Sequence, residues 1–224
     1  MRSWTPTNGE NDSDGDSDST DDITVDNIFK QRVDPGAHEG GTRAEHDAIE
    51  ATLDFLGPDL DRLAYQQRLA RLFTFHQPLE PVLAAAADWA HWGIDFDARR
   101  KSAHLAADLQ WLGHGAVASL PRCAALPPLP GAAAAFGCLC VLEGATLGGR
   151  IIARHLGGTL GLGADSGASY FHVYGDRAGS MWKAFQAATV TFAAQGADTD
   201  AIIMSAVATF NAPRLWCGAG ARRF

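Results

Sequence analysis

Apolar residues along this chain recur at helical spacing, and nowhere do they alternate with polar ones over a useful length. Ala and Leu dominate while β-branched residues are sparse, so the pattern predicts an all-α fold. Thr42-Arg43-Ala44-Glu45 has the form of a capping box, in which a hydroxyl and a carboxylate satisfy the free amides of a helix start. A first helix is expected from there to about Leu56, where Gly57-Pro58 stops it. Asp59 or Asp61 opens a second through Leu63, Leu69, Leu72 and Phe73 to about Phe75, and Pro78 begins a third that reaches about Trp92. Asp95 or Asp97 starts another, ending at Gly113, and Pro127, Pro128 and Pro130 mark a stiff connection. A long helix is expected from Gly131 to His155, ended by Gly157-Gly158 and followed by a glycine-rich loop into Tyr170–Tyr174. Two last helices cover Gly179 to Ala194 and Thr199 to Asn211. With no repeat and no heptad seam, these elements predict a single compact multi-helical domain over residues 42–224.

The first 41 residues differ in kind. They are rich in Asp, Ser, Gly and Asn, and too poor in large apolar groups to offset the entropy of ordering, so a disordered acidic tail is expected. Asp12, Asp14 and Asp16 suggest a calcium loop, but its sixth position is Ser17 instead of Gly and its twelfth is Ile23 instead of Glu. Residues 1–30 hold eight acids against Arg2 and Lys30, so six of the chain's eight net negative charges lie there. The remainder is close to neutral and lacks the clustered Lys and Arg of a nucleic-acid footprint. No uncharged run approaches the roughly 20 residues that span a bilayer, since the stretch from Gly131 to Leu142 ends at Glu143 and Arg150. With no apolar leader at the start, a cytoplasmic protein is expected. The four cysteines form no CxxC pair and read as small core residues or free thiols.

Two features carry candidate chemistry. His46, Ile49, Leu53 and Leu56 fall at i, i+3, i+7 and i+10, which puts the imidazole on the inward apolar stripe of the first helix. An unpaired imidazole nitrogen there costs on the order of 1–3 kcal/mol, so His46 either hydrogen-bonds to a neighbour or ligates a metal. Glu50, one turn on, is a candidate acceptor for the other ring nitrogen. The second feature is the stretch Val141 to His155, where Gly144, Gly148 and Gly149 interrupt a strong helical pattern at about 1 kcal/mol each. Either another helix packs tightly on these glycines, or a flat ligand lies against bare peptide groups. His76, His91, His104, His114, His155 and His172 show no HxxxH or HExxH spacing, so a zinc or di-iron site built from them is not expected. The glycines at 157–163 form no phosphate loop, and Gly167-Ala168-Ser169 is not a nucleophile elbow.

The stretch VLEGATLGGRIIARHL (141–156) resembles the distal-helix segment of bacterial heme oxygenases, particularly the bacteriophytochrome-associated, biliverdin-producing kind. Thr42 to His46 resembles their proximal-helix motif, and FHVYGDRAGSMWKAF (171–185) the segment that follows their distal helix. The resemblance implies that His46 is the axial ligand of heme iron with Glu50 close by, and that Gly144, Gly148 and Gly149 form the catalytic wall over the other heme face. It implies that Arg43 and Lys183 meet heme propionates, with Tyr174 and Arg177 as further candidates for that role. Heme is then cofactor and substrate together, opened to biliverdin with release of carbon monoxide and ferrous iron. Dioxygen and a reductase or ferredoxin are the implied partners, with a bacteriophytochrome as recipient of the product. The alternatives are a heme-binding protein of the same fold without turnover, and a cofactor-free helical scaffold.

Overall fold

The computed structural model describes residues 48–218, and the acidic tail, the capping box at Thr42, Arg43 and His46 lie outside them. The described chain is helical without a strand: α1 (Arg62–Ala85), α2 (Ser102–Trp111), α3 (Ala132–Leu160), α4 (Ala178–Ala194) and α5 (Thr199–Gly218). Short 3-10 turns at Asp97–Arg99, Val117–Ser119, Ser169–His172 and Gly175–Arg177 link them. Ahead of α1, residues 48–53 are helical and end at Asp54, whose φ is +42°. The Arg68 guanidinium donates to the Asp54 carbonyl and carboxylate, holding that end against α1.

α1 begins as expected, with the Asp61 carboxylate accepting from the Ala64 amide at 2.7 Å. It does not break at Pro78, where a new helix is expected, but runs through Pro78 and Pro81 as one rod. Proline at 78 leaves the Thr74 carbonyl without its helical donor. The Cys123 amide fills that position at 2.8 Å, which removes the reason to stop. The rod ends at Ala85 instead of Trp92, and the Trp89 indole N–H donates to the Leu83 carbonyl at 2.9 Å.

α2 is shorter than the pattern suggests because its start is fixed from outside. The Glu80 carboxylate, on α1, accepts from the amides of Lys101 and Ser102 at 2.7 and 2.8 Å and from the Ser102 hydroxyl. An acid from another helix thus caps α2, and the preceding turn at 97–99 stays separate.

α3 is the central element. From Ala134 to Cys140 every residue is buried, and only beyond Val141 does it become two-sided. It passes through Gly157 and Gly158, the expected stop, and ends at Gly161, whose φ of +67° closes the helix in the left-handed region. By length and a mean hydropathy of 1.5 this helix alone among the described residues is apolar enough to cross a bilayer, yet half of that stretch is buried within the protein. The charge that appeared to interrupt it, Glu143, is itself fully buried.

α5 packs along α3. A Cβ at Gly137 would overlap the Ile202 carbonyl oxygen, and the Ser205 hydroxyl donates to the Ala134 carbonyl at 2.6 Å. α5 extends beyond the expected Asn211, through Pro213 to Gly218. Two apolar clusters result. One gathers Phe75, Leu79, Trp89, Phe136, Phe185 and Ile202; the other gathers Tyr65, Leu69, Leu105, Leu109, Leu156 and Phe171. α1 and α3 contribute to both and so set the distance between them.

Candidate functional site

Between residues 49–56 and the middle of α3 the chain leaves a cavity of about 330 Å³, within the roughly 300–1,000 Å³ of small-molecule sites. Ile49, Glu50 and Leu53 line one side, and α3 lines the other from Val141 to Ile152. Leu72, Phe75 and His76 of α1, with Phe171 and Tyr174 of the loop after α3, supply its buried lining, and the half-buried Tyr170 adjoins them. Leu56 and Ile151, more than half exposed, give it an apolar rim. The loop keeps its place because the Asp108 carboxylate accepts from the amides of Ser169 and Tyr170 at 2.8 and 2.9 Å, while the buried Tyr65 hydroxyl donates to the Gly167 carbonyl.

The three glycines of α3 separate here. A Cβ at Gly149 would lie 3.4 Å from the Phe171 carbonyl oxygen, so this glycine serves close packing. Among the described residues Gly144 has only the Trp182 ring nearby, at an ordinary 3.8 Å, and a Cβ at Gly148 would meet nothing within 4 Å, although the residue lines the cavity. Helix packing therefore explains Gly149 and leaves Gly148 unexplained, as a flat patch of main chain open to the cavity.

Directly before Gly144 sits Glu143, wholly buried, with its carboxylate held by three side chains from two other segments. The Arg99 guanidinium forms a direct ion pair with it, Lys101 Nζ donates at 2.7 Å, and the Tyr174 hydroxyl donates at 2.8 and 3.0 Å. Lys101 Nζ also donates to the Arg99 carbonyl at 3.2 Å, and its charge lies 5.5 Å from the Tyr174 ring. Burial, then the nearby Glu143 charge, pushes the Tyr174 hydroxyl well above the usual phenol range, so it remains a donor. Lys101 and Tyr174 both line the cavity. The Thr146 hydroxyl, which also faces this region, donates to the Glu143 carbonyl at 2.6 Å. On α1, His76 Nε2 lies 3.3 Å from the Tyr170 hydroxyl, and Nδ1 has no hydrogen-bond partner among the described residues.

Of the residues singled out from the sequence, Glu50, Gly144, Gly148, Gly149 and Tyr174 come together around this one cavity. Lys183 and Arg177 are exposed and do not line it. Arg43 and His46 lie outside the described residues, the latter four residues before Glu50 in the sequence. Lys101, Arg150 and His76 line the cavity and were not foreseen. Arg150 stands two residues after Gly148, within reach of a careful reading. Lys101 meets Glu143 across 42 residues, and nothing in its local sequence announces that contact.

Residues 39–217 match the family model described as heme oxygenase. No curated protein matches the chain.

Proposed function

The chain belongs to the heme oxygenase family, and from that premise we propose that it opens heme to biliverdin, releasing carbon monoxide and ferrous iron with electrons from an external reductase or ferredoxin. The observation that carries this reading is the bare main chain at Gly148, open to a cavity whose opposite side bears Glu50. A flat apolar macrocycle suits such a space, with aromatic and aliphatic walls on its faces and an apolar rim at Leu56 and Ile151. When bound, the heme supplies both the iron chemistry with dioxygen and the carbon skeleton that is cleaved.

The chain's own residues have distinct tasks in this reading. His46 would hold the iron through a neutral imidazole nitrogen. Glu50, four residues on in the sequence, would accept from the other ring nitrogen. Gly144 and Gly148 offer no side chain to ligate iron or obstruct the ring edge, while peptide groups remain available for hydrogen bonding. Phe75, Phe171 and Leu72 exclude water from the buried side. Arg43, and Lys183, Tyr174 and Arg177 from beyond α3, are the proposed propionate partners. Of these Tyr174 lines the cavity, its hydroxyl hydrogen already given to Glu143.

Hemin added to the purified chain should produce a Soret band of histidine-ligated heme, and His46→Ala should abolish its strong axial field. Unchanged ligation in His46→Ala would remove His46 from the role. Binding without ring opening under a competent electron donor would leave a heme-binding protein of this family.

A further inference from the structure

The group of charges behind the glycine patch has no task in the reading above. Lys101 is 2% exposed and Glu143 0%, and both lie outside any solvent screening. Burying such charges is costly even when they are paired, and replacing them with well-packed apolar groups is often neutral or stabilising. Stability therefore gives a weak reason for their presence beside a ligand cavity. Their placement gives a stronger one: Lys101 and Tyr174 line the cavity, while Glu143 sits behind them and is adjacent in sequence to Gly144.

We propose that Glu143 and Lys101 are positioning residues that set the electrostatic potential of the cavity, and through it the reduction potential of a bound iron tetrapyrrole. This inference rests on the heme reading of the same cavity. Reduction of ferric heme removes one positive charge from the site, so a nearby cation favours the reduced form and a nearby anion opposes it. Arg99, Lys101 and Glu143 together carry one net positive charge, and Glu80, whose carboxylate is bound to the Lys101 and Ser102 amides, balances it. The wall thus places the Lys101 ammonium beside the cavity with no excess charge behind it. Removing Lys101 alone makes the wall negative, and removing the Glu143 charge alone makes it positive. Removing both restores the original balance.

That sign pattern separates an electrostatic role from a structural one. The full chain, loaded with hemin, is titrated electrochemically while its absorption spectrum is followed, in the wild type, Lys101→Met, Glu143→Gln and the double variant. The midpoint should fall in Lys101→Met, rise in Glu143→Gln and return near the wild-type value in the double variant, with hemin affinity changed less than about tenfold. Midpoints that stay constant, or that move in the same direction in both single variants, would overturn the proposal while leaving heme binding intact. A wild type that takes up no hemin would overturn the heme reading and this inference together. Should Glu143→Gln not fold, Lys101→Met still decides, because Glu143 keeps Arg99 and Tyr174 as partners and the midpoint must then fall.

Discussion

His76 makes the stability of the fold depend on pH. Its ring is buried on α1, and burial first, then the Lys101 charge, holds its pKa down to about 3. The folded state thus keeps the imidazole neutral while the unfolded chain protonates near pH 6.5, so the unfolded state binds more protons between those values. Stability from this group is complete above pH 6.5 and declines as pH falls toward 3, by up to about 1.4 kcal/mol per unit. Denaturant melts at pH 7 and pH 5 should differ by about 2 kcal/mol on its account. The pair His76→Leu with Tyr170→Phe removes both ends of the 3.3 Å contact and should flatten that part of the slope. An unchanged slope would mean that His76 is not the group responsible. Nothing around His76 in the sequence marked it, whereas His46 was conspicuous because it shares a stripe with Ile49, Leu53 and Leu56. Periodicity reveals which face a residue occupies, and only the packed fold reveals what it meets there.

The glycines of α3 divide by what surrounds them, and substitution should divide them in the same way. Gly137→Ala drives a methyl into the Ile202 carbonyl of α5, two backbones with no slack, and should cost about 3 kcal/mol or prevent folding. Gly148→Ala enters open space in a helix interior and should raise stability by up to about 1 kcal/mol. Its methyl would stand on the cavity wall, so thermal melts and hemin affinity should move in opposite directions. Equal losses of stability at both positions would contradict this division. Glu80→Ala should cost about 2 kcal/mol, read from denaturant melts, since two amides and a hydroxyl at the start of α2 lose a buried acceptor. The long helix and its interruption by Gly144, Gly148 and Gly149 were legible from the sequence because spacing and composition are local. Helix ends were less so. Pro78 and Gly157-Gly158 look like stops, but the Cys123 amide rescues the first, and α3 runs on past the second to its left-handed end at Gly161.

Taken together, α1 and α3 brace both apolar clusters, and the cavity lies where the loop after α3 and residues 49–56 approach the same stretch of glycines. The all-α fold was readable from helical spacing and the dominance of Ala and Leu, and the family from three motifs in order, the family match covering residues 39–217. The cavity's polar lining was not, because Lys101, His76 and Glu143 meet only through the tertiary fold. The most direct measurement is a hemin titration of the full chain followed by addition of a competent reductant in air. The heme account predicts a Soret band at stoichiometric hemin, then its decay into bile-pigment absorption with release of carbon monoxide. A chain that leaves the hemin spectrum unaltered, or that binds heme and returns it intact after reduction, would contradict it.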